Sequence, residues 1–147
     1  MLDRRDRIAS VDRDDATRQL SRRERMDRIL VRDGPCCVWC GRAVEVGLVG
    51  VTTEHVVPRL KGGPSWIENE VAACRRCNGQ RGHLTPAEWA DECERRGWPV
   101  NRGVLIATLT DLEQAIAAKG GQRRARPYIA SQLRRLRGQI TPDDPQR

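Results

Sequence analysis

Four cysteines arranged as two CxxC pairs are the feature that most constrains how this chain can fold. Cys37-Val-Trp-Cys40 forms the first pair, and Cys74-Arg-Arg-Cys77 forms the second. Because the CxxC spacing lets two thiolates hold one ion from a single turn, the two pairs predict a tetrahedral zinc site. The alternatives are reduced core cysteines or disulfides. The long segment between Cys40 and Cys74 leaves room for an inserted hairpin.

The other cysteines and the start of the chain bear on the redox environment. Cys36 competes with Cys37 as a ligand, but only Cys37 has the CxxC spacing, and Cys93 is expected to be an ordinary core residue on an apolar helix face. The N-terminal sequence MLDRRDRIASVDRDD has no apolar segment of the kind found in signal peptides. No stretch approaches the roughly 18 apolar residues of a membrane span. We therefore expect a reduced, cytoplasmic protein without membrane contact.

The charge of the chain indicates an anionic partner. The formal net charge is +7, and nearly all of the 27 basic residues are arginines. Arginine suits bidentate phosphate contacts, although a GC-rich genome would give the same bias. With 38% hydrophobic residues and no phenylalanine, a large single core is not expected, so a structural metal would help to stabilise the middle of the chain.

Local patterns divide the chain into three parts: a charged N-terminal extension at 1–33, a chemical core at 34–86 and a basic helical extension at 87–147. Residues 1–20 are charge-dense and expected to be partly disordered. A capping box at Ser21–Glu24 starts a helix to about Arg32, broken by Asp33-Gly34-Pro35. Its buried stripe would be Met26, Ile29 and Leu30.

The predicted core is short strands, a loop and a short helix. The expected elements are β-rich runs at Val44–Val49 and Val51–Val57, a loop at Lys61–Pro64, a strand at Glu70–Ala73 and helical turns at Arg75–Arg81. A second capping box, Thr85–Glu88, starts a helix that buries Trp89 and Cys93 and ends at Gly97. Apolar residues at helical spacing then predict a helical hairpin: Leu105, Leu109, Leu112 and Ile116, capped by Gly120, and Ile129, Leu133, Leu136 and Ile140.

The core sequence TTEHVVPRLKGGPSWIENEVAACRRCNGQRGHLTP resembles the core of HNH endonucleases, of the zinc-stabilised kind with two CxxC pairs. The resemblance runs from about Cys37 to Pro86. It implies an α+β fold: a small ββα-metal, treble-clef-like zinc core with flanking α-helices. It also implies hydrolysis of DNA phosphodiester bonds by a divalent metal and a histidine.

The resemblance assigns roles to four residues between and within the cysteine pairs. His55 corresponds to the general base, and imidazole is chemically suited to take a proton near neutral pH. Glu54 corresponds to a ligand of the catalytic Mg²⁺ or Mn²⁺. Asn69 corresponds to the residue that ties the loop and orients the histidine, and Asn78 to the one that completes the metal site. Each also has an ordinary structural reading, as a satisfied histidine, a surface charge, a turn residue or a helix-end residue.

Arginines around these residues are candidate phosphate contacts. Those beside the core are Arg59, Arg75, Arg76 and Arg81, and those in the tail are Arg123, Arg124 and Arg126. They could equally form solvated faces, and the tail could bind a protein. His83 lies outside the matched positions and is expected to be a substrate-side or surface residue.

Two other functions remain open. A non-catalytic zinc-ribbon module that binds nucleic acid would need the cysteines and the basic charge, but not Glu54, His55 or Asn78. A structural protein-interaction domain would need neither the catalytic residues nor the excess of basic charge. The sequence does not reveal whether DNA is nicked or cut through, which target or modified base is preferred, the oligomeric state, or whether a host or a phage uses the protein.

Overall fold

The computed structural model describes residues 19–44 and 50–140. Most of the charged run at 1–20, all of Val44–Val49 except Val44, and the end of the chain from residue 141 lie outside the described residues. The described elements are α1 (Arg22–Asp33), β1 (Val51–His55), β2 (Glu70–Cys74), α2 (Arg75–Arg81), α3 (Pro86–Arg95), α4 (Arg102–Lys119) and α5 (Ala125–Gln139), with 3₁₀ turns at Arg59–Lys61 and Ile67–Asn69. Helices around a small two-stranded sheet confirm the predicted α+β class.

Helix α1 begins and ends where its sequence predicts. The Ser21 side chain accepts a hydrogen bond from the backbone N–H of Glu24, whose carboxylate accepts one from the Ser21 N–H. Gly34 ends the helix with a φ of +86°, a conformation in which glycine is not penalised. Ile29 and Leu30 are buried and pack with Ala72 of β2, so α1 covers one face of the sheet.

The two strands pair antiparallel, and α2 follows β2 without a break. The register places Val51 opposite Cys74 and His55 opposite Glu70. Strand β2 is buried along its whole length, whereas β1 is half-buried. The predicted run to Val57 is longer than β1, because Val56 and Val57 turn into the core and begin the loop. In this ββα order the second cysteine pair lies where β2 ends and α2 begins.

The C-terminal helices share one apolar core with the cysteine region. Trp89 and Cys93 of α3 are fully buried, as predicted, and so are the stripe residues of the α4–α5 hairpin from Leu105 to Leu136. Ile140 lies just beyond α5 and is half-buried. The cluster is larger than the low aromatic content indicated, because aliphatic side chains and the indoles of Trp39 and Trp89 fill it.

Over the described ranges 19–44 and 50–140, no helix combines the length and the apolar character that crossing a bilayer requires.

Candidate active site

The four predicted zinc ligands come together. Cys37, Cys40, Cys74 and Cys77 are buried, and their sulfur atoms all lie within 4.8 Å of one another. The Cys40 and Cys74 sulfurs are 3.8 Å apart. Zn–S bonds of about 2.3 Å in a tetrahedron require sulfur–sulfur edges of about 3.8 Å, so the cluster fits a zinc ion. The ligands lie on the turn before Gly41 and at the start of α2.

Protonation of the cysteines also favours a cation. The Cys40 side chain raises the pKa of the Cys37 thiol to about 12, and burial acts in the same direction. The Cys37 and Cys40 side chains likewise raise the pKa of Cys77. The Cys37 and Cys77 side chains, in contrast, lower the pKa of Cys40. A thiolate in this cluster is therefore stabilised by neighbouring thiols that keep their protons. Ionising all four requires a positive ion among them.

Glu54 and His55 line an open pocket of about 290 Å³ at the end of β1. The 3₁₀ turn Arg59–Lys61 forms another part of its wall, and Arg81 and His83 contribute from the end of α2 and beyond. Leu60 on this turn is 74% exposed. The pocket thus combines a carboxylate and an imidazole with cationic side chains, and it includes His83, which the sequence motif did not assign.

Both oxygens of the Glu54 carboxylate are hydrogen-bonded. Arg81 Nη1 donates to Oε1 at 2.7 Å, and Trp39 Nε1 donates to Oε2 at 2.6 Å. Arg81 is buried, and its guanidinium lies 4.3 Å from the centre of the Trp39 ring. Since Trp39 lies inside the first CxxC pair, the turn at residues 37–40 (the cysteine knuckle) itself holds the carboxylate in place. The sequence pattern carried no signal for this contact.

Glu54 and Asn78 carry oxygen atoms of the kind that a divalent cation binds. A carboxylate offers about four lone-pair sites, and two remain on Glu54 after the bonds to Arg81 and Trp39. Asn78 is exposed on α2, one turn before Arg81, and it is not among the residues that line the pocket. A carboxylate and an amide oxygen suit Mg²⁺ or Mn²⁺ with several waters. An ion bound there would share Glu54 with the Arg81 guanidinium.

Asn69 ties the loop between the strands. Its side chain is fully buried; Oδ1 accepts from the Val57 N–H at 2.9 Å, and Nδ2 donates to Val57 O at 3.0 Å and Pro64 O at 2.9 Å. Gly63 lies so close to this point that a Cβ atom there would be 1.8 Å from Val57 O. These contacts fix the backbone two residues beyond His55. The catalytic role of Asn69 remains a prediction.

His55 points one ring nitrogen into the protein. Its Nε2 is buried, has no hydrogen-bond partner among the described residues, and lies 3.9 Å from Glu70 Oε1. The side chain as a whole is 34% exposed. Glu70 is held by Arg25 of α1. Neither Glu70 nor Arg25 was singled out by the sequence motif, because their meeting depends on strand register and helix packing.

The arginines predicted to contact phosphates occupy different environments. Arg59 and Arg75 are exposed, as are Arg123 and Arg126 of the hairpin. Arg76 lies 3.7 Å over the Trp98 ring. Arg81 is committed to Glu54, and Arg124 donates a hydrogen bond to the carbonyl of Leu60. A phosphate contact by Arg81 would require its ion pair to open, and Arg124 joins the hairpin tip to the pocket wall.

Comparisons with known proteins identify what the central segment is similar to. Residues 37–93 match the sequence model of the family described as HNH endonuclease. A 69-residue stretch is 33% identical to the CRISPR-associated endonuclease Cas9 of Corynebacterium diphtheriae. The match covers 46% of this chain and 6% of that protein. The resemblance of the central segment to HNH endonucleases is therefore confirmed, and it supports a nuclease-type function.

A similarity to a solved structure was also found. The crystal structure of the Type II-C Cas9 enzyme from Actinomyces naeslundii aligns over 90% of this chain and 13% of that chain, with a TM-score of 0.48 and 19% identity. The chain is thus a small fraction of the length of both Cas9 proteins.

Proposed function

We propose that the segment matching the HNH endonucleases is the catalytic core of a metal-dependent endonuclease that hydrolyses phosphodiester bonds of DNA. One observation carries the proposal: Glu54 and His55 line a single open pocket beside a buried four-cysteine cluster. A zinc-ribbon binding module requires the cluster but not this pocket. The family match over residues 37–93 includes both.

Exposed cationic side chains on the pocket wall would bind the substrate. Arg59 and Lys61 are exposed on the 3₁₀ turn that lines the pocket, and Arg75, outside the pocket lining, is exposed at the start of α2. Contacts from such side chains position a nucleic-acid backbone without reading its sequence. The net charge of +7 favours association with the same polyanion. DNA is therefore the proposed partner.

His55 acts as the general base in the proposed reaction. Its imidazole takes a proton from a water molecule as the water oxygen attacks phosphorus. The bond from phosphorus to the 3′-oxygen breaks, and that oxygen leaves with the bonding electrons and takes a proton from solvent. Asn69 holds the loop next to His55, which limits movement of the base. Arg59 and Lys61 hold the neighbouring phosphates.

A divalent cation completes the proposed site. Glu54 and Asn78 would hold Mg²⁺ or Mn²⁺, and the bound ion would stabilise negative charge on the phosphate and on the leaving oxygen. Glu54 is the fixed donor, because Trp39 and Arg81 set the orientation of its carboxylate.

The deciding experiment compares His55→Ala with the unmodified protein on supercoiled plasmid, in Mg²⁺ or Mn²⁺ and with a mild chelator. Val31→Ala serves as a surface control, because Val31 is 88% exposed on α1. We expect loss of the general base to slow single-turnover cleavage by about 10²–10⁴-fold, with zinc content and DNA affinity retained. Undiminished cleavage by His55→Ala would remove His55 from the mechanism. DNA binding without cleavage by the unmodified protein would favour the zinc-ribbon module.

A further inference from the structure

A buried carboxylate lies behind His55, on the side away from solvent. Glu70 is the cross-strand partner of His55 in the β1–β2 register and is 8% exposed. Its Oε1 lies 3.9 Å from His55 Nε2. That nitrogen is buried and has no hydrogen-bond partner within residues 19–44 and 50–140. An acceptor therefore faces a ring nitrogen that is shielded from water.

Helix α1 fixes the orientation of this carboxylate. Arg25 Nε donates to Glu70 Oε2 at 2.8 Å, and Arg25 Nη2 donates to Oε1 at 2.6 Å. This two-point contact is the geometry that holds a carboxylate most firmly. Arg25 Nη2 also donates to the carbonyl of Ser65, in the loop that Asn69 closes. The Arg25 guanidinium thus links α1 both to Glu70 and to the loop that follows His55.

The placement of the acceptor selects one form of the neutral imidazole. A neutral ring carries its proton on only one nitrogen, and a buried nitrogen with a lone pair facing a carboxylate would be repelled. A proton on Nε2 instead points a positive dipole at Glu70. The 3.9 Å separation is too long for a hydrogen bond, but contacts to a catalytic histidine often shorten only when substrate binds.

We propose that Glu70 is a positioning residue for His55, with Arg25 holding Glu70 in place. Glu70 keeps the His55 proton on Nε2 and leaves the lone pair of Nδ1 for the water nucleophile. This inference rests on the proposed function and extends it. Helix α1 lies before the segment that matches HNH endonucleases, so part of the apparatus that sets the base lies outside that segment.

The rival role for the pair is purely structural, joining α1 to the sheet. Other contacts already make that connection. Ile29 and Leu30 pack against the sheet, and Arg32 donates to the Glu70 carbonyl at 2.6 Å and the Ile67 carbonyl at 2.9 Å. Variants at Arg25 and Glu70 are therefore expected to keep α1 docked.

The kinetic test uses the double variant Arg25→Leu/Glu70→Leu. Replacing a largely buried ion pair by two apolar side chains is often neutral or stabilising, and this pair is only partly exposed, so the double variant should fold and retain zinc. We expect kcat to fall by about 10–100-fold with KM and DNA affinity unchanged, by analogy with the loss of the hydrogen-bond partner that orients a metal-bound histidine. Glu70→Gln keeps an acceptor oxygen and should retain more activity than Glu70→Leu. A double variant that folds and has unreduced kcat would contradict the proposal.

A second readout does not depend on cleavage. The chain has two histidines, so long-range ¹H–¹⁵N correlation spectra of labelled imidazoles are simple, and His83→Gln assigns the remaining signals to His55. At alkaline pH, where imidazole is neutral, we expect the unmodified protein to show His55 with its proton on Nε2 alone. The double variant should show a mixture of both tautomers. Unchanged His55 signals would overturn the positioning role. If the signals respond but no protein cleaves DNA, the proposed function fails while Glu70 still positions His55.

Discussion

At the scale of single residues, Glu54 is notable because neither of its carboxylate oxygens is left without a donor. Arg81 and Trp39 hold one oxygen each, and Trp39 lies between two cysteines of the four-cysteine cluster. A carboxylate held this way keeps one orientation with or without a cation. The position of each group therefore depends on another: the four cysteines fix the knuckle, the knuckle fixes the Trp39 indole, and the indole fixes the Glu54 carboxylate.

Trp39→Phe tests this dependence. The substitution keeps an aromatic ring in the core, but it removes the Nε1–H donor to Glu54 Oε2 and, because phenyl is smaller than indole, leaves a cavity at this fully buried position. Because hydrogen bonds to charged groups contribute about 1.5–3 kcal/mol and the cavity adds to the loss, we expect the free energy of unfolding to fall by at least that order. We also expect the Mn²⁺ concentration for half-maximal cleavage to rise, since the carboxylate gains freedom. Both are measured on zinc-loaded protein, and unchanged Mn²⁺ dependence would show that Arg81 alone suffices.

Cys93 supplies a prediction about pH. Burial raises the pKa of its thiol from 9.0 to about 11. Below pH 9 the thiol is neutral both folded and unfolded, so it makes no pH-dependent contribution. As pH rises from 9 through 11 the unfolded chain ionises first, and the stability that depends on a neutral Cys93 is lost. Denaturation across this range should show a smaller decline in Cys93→Val. An equal decline in both proteins would place the titration elsewhere.

At the scale of elements, the four-cysteine cluster joins the knuckle to the start of α2. Removing zinc should therefore unfold the β1–β2–α2 unit, because structural zinc supplies folding free energy. The ligands bind as thiolates, and Cys37 holds its proton up to a pKa of about 12 without metal. Zinc affinity should accordingly fall as pH falls. A chromogenic chelator measures release against pH, and circular dichroism measures structure.

Restoration distinguishes the two proposed metals. After zinc removal, added Mg²⁺ should not restore structure, whereas added zinc should. After a mild chelator that leaves zinc bound, Mg²⁺ or Mn²⁺ should restore cleavage. Metal-free protein with unchanged circular dichroism would refute the structural role of the cluster.

How far the sequence predicted each element depends on the range of the interactions that form it. Capping boxes at Ser21 and Thr85 involve residues three apart, so both helix starts were predicted correctly. The CxxC pairs carry their own geometry, and the cluster is as predicted. The bond from Trp39 to Glu54, the pair of Arg25 with Glu70, and the tether of Arg124 to Leu60 join distant segments. Such contacts depend on packing and register, which no local pattern encodes.

At the scale of the whole molecule, one apolar cluster extends from the cysteine knuckle to α5. Leu136 is fully buried in it, far along the chain from the zinc ligands. We expect Leu136→Ala to lower the free energy of unfolding by about 2–5 kcal/mol. Zinc release and loss of helix should then occur in one shared transition. Hairpin melting that leaves the zinc site intact would instead support the predicted separation of the core at 34–86 from the helices at 87–147.

The positive charge of the α4–α5 hairpin is also a property of the whole molecule. Arg123 and Arg126 are exposed, whereas Arg124 is tied to the pocket wall. Changing Arg123 and Arg126 to glutamine should weaken binding to any DNA sequence and flatten the logarithmic salt dependence by up to about 2 units. Single-turnover cleavage at saturating DNA should not change. An unaltered salt slope would show that this face of the hairpin does not meet DNA.

The adjacent glycines 62 and 63 restrict how this protein can diverge. A Cβ atom on Gly62 would lie 2.6 Å from Arg124 Cβ, and one on Gly63 would lie 1.8 Å from the carbonyl oxygen of Val57. A side chain at position 62 would clash with the hairpin, and one at position 63 would clash with the loop beside His55. No single compensating substitution would therefore make room for a side chain at both positions. In a mutagenised library selected only for soluble expression, these two codons should stay glycine while Arg59 and Lys61 vary. Natural homologues should likewise keep both glycines and differ at the two basic positions.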